Sequence, residues 1–134
     1  MVVPLSDGFL KLLNEPAHCQ LVTLMPDGSP QVTQVWVGTD SGHILINTSE
    51  GRQKERNVRR DPRVAVNVVD PANQWRLASV RGKVVDITSD GSEALIDGLA
   101  KKYLGVDSYP FRTPDEVRVT LKIAPEHIAE IGLE

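Results

Sequence analysis

Arg52 and Lys54 stand two positions apart, directly after the run Asn47-Thr48-Ser49 and at the head of a segment rich in Arg, Lys, Gln and Glu. Those residue types favour a helix from about Gly51 to Arg60, which Pro62 stops. A helix start leaves backbone N–H groups unpaired and carries the positive end of the helix dipole. A guanidinium and an ammonium added there form a cradle for a phosphate, which the hydroxyls of Thr48 and Ser49 complete. Arg56, Arg59 and Arg60 lie in the same helix, but Glu55 and Asp61 are close enough to pair with them, so structural pairing is expected for these three. Val58 is the only large apolar residue of the segment. Without a broad hydrophobic stripe to hold it, the helix is expected to be fixed by the bound anion.

Flat surfaces are scarce. Trp36 and Trp75 are two of six aromatic residues, and both fall on strands or strand edges, where a core role competes with contact to a ligand ring. Trp75 precedes Arg76, a pairing of flat face and charge suited to a ring with a phosphorylated tail. Tyr103 fits a helical stripe, and Tyr109 lies in a loop with Pro110 and Pro114; neither points to a defined role. Other chemistries lack their residues. No two glycines are separated by a single residue, which removes the GxGxxG fingerprint, and no phosphate-binding GxxxxGK[ST] loop or GxSxG elbow occurs. His18, His43 and His127 are scattered, and Cys19 is the only cysteine, so neither a metal site nor a disulfide is expected.

The chain of 134 residues fits one domain, 1–134. Net charge is −3, yet residues 51–63 hold six of the 15 basic residues and only two acids, a local +4 on a body of −7. That contrast favours a small anionic ligand over nucleic acid, which an acidic chain repels. No run is long and apolar enough for a bilayer and no basic-then-apolar leader opens the chain, so a cytoplasmic protein with no membrane partner is expected. At this size a second copy would help cover sheet edges.

Several elements must place these residues. Ser6 or Asp7 caps a short helix bearing Phe9, Leu10 and Leu13, ended by Pro16. Cys19 to Met25 and Gln31 to Val37 form a hairpin around Pro26-Asp27-Gly28-Ser29, and a third strand runs from His43 to Thr48 after a turn at Thr39 to Gly42. Further strands are expected at Arg63 to Val69, Trp75 to Thr88 with a bend at Gly82, and Val117 to Ile123. In the last of these, Arg118, Thr120 and Lys122 alternate with apolar residues as a half-exposed face, and Ile128 to Ile131 forms a short addition. A helix from Ser92 buries Leu95, Ile96, Leu99, Ala100, Tyr103 and Leu104 and ends at Gly105. The fold class is therefore mainly β (α+β), about six antiparallel strands forming a β-barrel with flanking helices.

Four stretches carry a resemblance: LVTLMPDGSPQVTQVWV, HILINTSEGRQKERNVRRDPRVAVNVVD, WRLASVRGKV and KKYLGVDSYPFRTPDEVRVTLKIAPEHI. In this order they resemble the pyridoxamine-phosphate-oxidase-like flavin and deazaflavin oxidoreductases, most closely the branch using coenzyme F420. The RxKxRNxRRDPRV pattern from Arg52 to Val64 is the most specific part. The resemblance implies a six-stranded antiparallel split β-barrel with flanking helices, and a homodimer with two cofactor sites at the subunit interface. It places the coenzyme phosphate on Arg52 and Lys54, with Asn47 and Thr48 leading into the pocket and the ring along Val35 and Trp36. It puts Trp75, Arg76 and Leu77 at the border of the cofactor, contributed by the second subunit. The name-giving oxidase has a longer chain and substrate-phosphate residues without counterpart here, so vitamin B6 oxidation is not implied.

The expected activity is hydride transfer from reduced F420 to a small unsaturated or electrophilic molecule, with no protein acid/base pair to assign. FMN on the same cradle is the alternative cofactor. A carrier or sequestering module without turnover, and nucleic-acid binding through the basic helix, are the rivals from other classes.

Overall fold

The computed structural model describes all 134 residues. Helix α1 (Asp7–Leu13) starts where Ser6 Oγ accepts a hydrogen bond from the Phe9 amide at 3.0 Å. Phe9, Leu12 and Leu13 share one face and are completely buried. The hairpin follows as β1 (His18–Leu24) and β2 (Pro30–Val35), its turn pinned by Asp27, which accepts from the Ser29 amide at 2.9 Å. Next come β3 (Gly38–Asp40), β4 (His43–Ser49), helix α2 (Gln53–Arg60), β5 (Arg63–Asp70), β6 (Asn73–Thr88), helix α3 (Ser92–Leu104) and β7 (Arg118–Ile131).

All seven strands pair antiparallel in one sheet of order β2-β1-β5-β6-β7-β4-β3. The sequence pattern accounts for six. The extra strand is β3, whose Thr39 and Asp40 read as the start of a turn, yet Gly38 to Asp40 pair with Leu45 to His43. Ile128 to Ile131 is not a separate strand but the end of β7. The sheet's two edges, β2 and β3, are joined in sequence by Trp36 and Val37 alone. The sheet must therefore curl until its edges approach, although no ladder joins them and the barrel stays split. β6 bends sharply against β7, with its register shifting at Arg81/Gly82. A side chain at Gly82 would collide with the Ala124 carbonyl, its Cβ only 2.2 Å from that oxygen, which is why glycine stands there.

Alternating residues of β1, β5, β6 and β4 point into the barrel, among them Leu21, Val66, Val80 and Ile46, and α1 packs against them to close the core. Two sequence expectations about facing need correction. In β7, Arg118 and Thr120 are buried rather than half exposed, because α3 covers that face, whereas Val117 is exposed. In α3, Leu104 is exposed; Ile96, Leu99 and Ala100 carry the buried face, and Gly105 ends the helix with φ 74°.

The anchoring of α2 also differs. Its buried residues are Glu55, Asn57 and Val58. Asn57 is completely buried and donates to Thr23 Oγ1 at 3.0 Å, while its Oδ1 accepts from Gln53 at 2.8 Å and Arg60 at 3.0 Å. Arg60 also donates to the Leu24 carbonyl at 2.5 Å. A polar lock onto the β1–β2 hairpin, beside buried Val58, thus anchors the helix. Of the three arginines expected to pair with Glu55 or Asp61, only Arg59 does, with Glu55; Arg56 binds the Gly51 carbonyl and Gln53, Arg60 binds the Leu24 carbonyl and Asn57, and Asp61 is taken by Arg63.

Candidate functional site

Where β4 runs out and α2 begins, the chain turns through Gly51, whose φ of 88° suits glycine. Arg52 becomes the N-cap of α2 but supplies no side-chain cap, so the first-turn amides are left for another acceptor. This helix start borders a cleft of about 390 Å³. Its cationic end is lined by Arg52, Lys54, Thr48 and Asn47, and also by Arg118 from β7.

Lys54 is partly buried with no carboxylate paired to it. Burial, and then the charges of Arg52 and Arg118, hold its ammonium below the ordinary lysine range. The Thr48 hydroxyl is buried without any hydrogen-bond partner. A stranded hydroxyl of this kind costs about 1–3 kcal/mol unless a ligand satisfies it. Arg118 is the most buried cation of the group: Nε donates to Asn47 Oδ1 at 2.7 Å, and one terminal nitrogen donates to Ser49 Oγ at 3.0 Å and to Glu116 at 2.9 Å. Asn47 in turn donates to the Ser92 carbonyl at 2.8 Å, so it ties β4, β7 and α3 together and positions Arg118.

The other end of the cleft is aromatic. Trp36, in the link between β2 and β3, stacks on Tyr103 of α3 with ring centres 5.2 Å apart and planes 6° from parallel. Tyr109 meets Trp36 edge-on at 6.0 Å, and the Arg118 guanidinium lies 5.1 Å from the Tyr109 ring centre. The Tyr103 hydroxyl donates to the Ala17 carbonyl at 2.7 Å and accepts from the Val37 amide at 3.2 Å. Burial pushes that phenol up to about 12. Beside it the Lys102 ammonium donates to the carbonyls of Leu13 and Val37. Val35, Gln34 and His18 form the rim toward β1 and β2.

Six of the residues singled out in the sequence line this cleft: Val35, Trp36, Asn47, Thr48, Arg52 and Lys54. Trp75, Arg76 and Leu77, at the start of β6, lie outside it within one chain. Trp75 is 65% exposed, and the Arg76 guanidinium is engaged by Glu15 at 2.8 Å and Asp70 at 3.0 Å. Ser49, expected to offer its hydroxyl to a ligand, turns it to Arg118 instead. Arg118, Tyr103 and Tyr109, to which the sequence reading assigned no place in the site, also line the cleft. For Arg118 a signal existed in Glu116, two positions earlier in the chain and able to neutralise a buried guanidinium.

The surrounding architecture recurs in solved structures. One described as an F420 reductase is 33% identical, superposes with a TM-score of 0.79, and the match covers 93% of this chain and 98% of that one. A conserved hypothetical protein from Mycobacterium tuberculosis is 26% identical with a TM-score of 0.70, over 97% of this chain and 86% of its own. General Stress Protein 26 from Bacillus anthracis shares the fold at 18% identity and a TM-score of 0.72, over 96% of this chain and 94% of its own. The family model described as pyridoxamine 5'-phosphate oxidase matches residues 5–132, almost the full length. By that match the chain belongs to the pyridoxamine 5'-phosphate oxidase family.

Proposed function

We propose that the chain is a reductase that uses coenzyme F420, with its cleft holding the coenzyme phosphate at the cationic end and the flat ring at the aromatic end. One observation carries this reading: Lys54 without a counter-ion and a buried Thr48 hydroxyl without a partner face the same cleft as the stacked Trp36 and Tyr103. A volume of about 390 Å³ lies in the range of small-molecule sites, which run from ~300 to 1,000 Å³. The F420 reductase among the similar structures supports the choice of deazaflavin.

Arg52, Lys54 and the first-turn amides of α2 would hold the phosphate, and the Thr48 hydroxyl would donate to one of its oxygens. Trp36 and Val35 would border the ring. When bound, the coenzyme supplies hydride chemistry, and the protein's task is orientation and exclusion of water. The substrate is a small unsaturated or electrophilic molecule. No side chain of the cleft is assigned as proton donor: burial lifts the Tyr103 phenol to about 12, and its hydrogen goes to Ala17.

A second copy of the chain completes the site in this reading. The outward face of β1, β5, β6 and β7 carries a shallow groove lined by Gln20, Val22, Ala65, Ile128 and Ala129, flanked by Arg81 and His127. Exposed Val32 of β2 and Ile131 of β7 extend its apolar surface, and β2 also carries Gln34 at the rim of the cleft. Docking on that face would bring the partner's exposed β6 start, with Trp75 and Leu77, toward the ring. Arg76 would serve there as a support, because its guanidinium is already engaged.

Fluorescence titration with F420 and with FMN tests the reading, followed by addition of electrophilic acceptors to the reduced complex. Saturable F420 binding with acceptor-dependent oxidation supports it. Binding of FMN alone would assign the flavin, and binding without oxidation by any acceptor would make the protein a carrier. A response to neither coenzyme would refute the cradle.

A further inference from the structure

We propose that Glu116 is an internal counter-ion of the cationic cradle, competing with the ligand's phosphate for Arg52 and limiting how much negative charge the cleft accepts. The inference rests on the anion-binding reading above and deepens it. Glu116 lies near the end of the loop between α3 and β7, and its side chain is only 9% exposed. One carboxylate oxygen accepts from Arg118 at 2.9 Å; the other lies 3.8 Å from Arg52. Glu116 itself does not line the cleft, whereas both of its partners do.

The two contacts differ in kind. Arg118 is 5% exposed and is also held by Asn47 and Ser49, so its placement has support independent of Glu116. The Arg52 pair is long and Arg52 is 53% exposed, the type of contact that water and competing anions exchange readily. Burial alone would raise the Glu116 carboxyl, but the hydrogen bond and charge of Arg118 outweigh it and hold the group below the usual carboxylate range. It is therefore ionised at neutral pH. A phosphate arriving at Arg52 meets a guanidinium that already faces a carboxylate.

Arg52, Lys54 and Arg118 against Glu116 leave the cradle with a net charge of +2. That balance suffices for a single phosphate group and falls short of free pyrophosphate. Repulsion from a fixed carboxylate scales with ligand charge. Removing the Glu116 charge should thus help a more highly charged anion more.

Calorimetric titration of the full chain with inorganic phosphate and with pyrophosphate, at fixed ionic strength and neutral pH, reads this directly. Glu116→Gln keeps the shape and an acceptor for Arg118. It is expected to tighten phosphate binding about two- to fivefold, the range for loss of a competing exposed ion pair, and to tighten pyrophosphate binding by a larger factor. Glu116→Asp leaves a charge near Arg118 but draws it back from Arg52; a smaller gain for both anions is expected, which also covers the case in which the glutamine variant does not fold. Unchanged or weaker binding in the folded variants, with the same preference between the two anions, would overturn the competition and make Glu116 a support for Arg118 only. If the unaltered chain bound neither anion, the cradle reading would fail and take this inference with it.

Discussion

Asn57→Ala tests what holds the helix that presents Arg52 and Lys54. The side chain is completely buried, and the substitution deletes its bond to Thr23 at 3.0 Å and those from Gln53 at 2.8 Å and Arg60 at 3.0 Å. Thr23 keeps a contact with Gln31 at 3.3 Å, and Gln53 and Arg60 are reachable by water, so only the inward bond and the vacated space are lost in full. At about 1 kcal/mol for the net hydrogen bond and about 1–2 kcal/mol for the vacated space, the loss is about 2–3 kcal/mol. For a chain of this length that lowers the thermal midpoint by about 6–12 °C. Urea unfolding gives the free energy, with protein concentration held constant because association would shift it. Thr23→Val supplies the partner arm of a double-mutant cycle, in which the pair should cost about 1 kcal/mol less than the two singles together. An anion-held helix predicts the opposite pattern. A loss below about 1 kcal/mol in Asn57→Ala, recovered by saturating phosphate, would refute the polar lock.

Lys54→Ala is expected to weaken coenzyme binding by about 1.5–3 kcal/mol, the range for hydrogen bonds to charged groups. Arg52→Ala should cost less, about 1 kcal/mol, because Arg52 is half exposed and shared with Glu116; equal losses in a fluorescence titration would contradict that ranking. Tyr103→Phe strands the Val37 amide and frees the Ala17 carbonyl, and should lower stability by about 1–2 kcal/mol in urea unfolding without a change in the unfolding slope. Cys19 is completely buried, and burial pushes its thiol up to about 12, with the nearby Lys102 charge pulling weakly the other way. Alkylation needs the thiolate, so iodoacetamide at about pH 8 should label the folded chain far more slowly than the urea-unfolded one. Equal rates would show that β1 opens readily.

Alternation and turn residues made most of the sheet legible. The β1–β2 hairpin, the bend at Gly82 and the end of α3 at Gly105 all follow from local chemistry that tertiary packing does not override. β3 was hidden because a three-residue edge strand that starts at a glycine has no periodicity to read. The burial of Arg118 was hidden for a different reason. A strand pattern separates two faces but does not tell whether a helix will cover the second one, and α3 does. Of the cleft, Arg52 and Lys54 were readable because helix-start chemistry is local. Tyr103 and Tyr109 were not, since their meeting with Trp36 depends on α3 and the following loop folding back over the β2–β3 link. The apolar count in α2 was read correctly, but a polar anchor was not foreseen: beside buried Val58, the buried Asn57 ties the helix to the β1–β2 hairpin through a set of bonds that no apolar count reveals.

The cleft's two ends are set by separate anchors. Asn57 fixes the helix start through β1, whereas Tyr103 fixes the stacked ring pair through Ala17 and Val37. Arg118 is the one cation that touches both: its guanidinium faces Tyr109 and also bonds Asn47 and Ser49 beside the helix start. A planar, always-charged fork can make those bonds and present a flat face at once, which an ammonium cannot. Such an arrangement suits the proposed role of holding a bound redox coenzyme. Where a bound group carries the chemistry, the protein contributes chiefly by holding ring and tail at a fixed separation, and small errors in that separation are costly to rate. The buried polar bonds around the cleft are thus best understood as the means of keeping its aromatic and cationic ends in register.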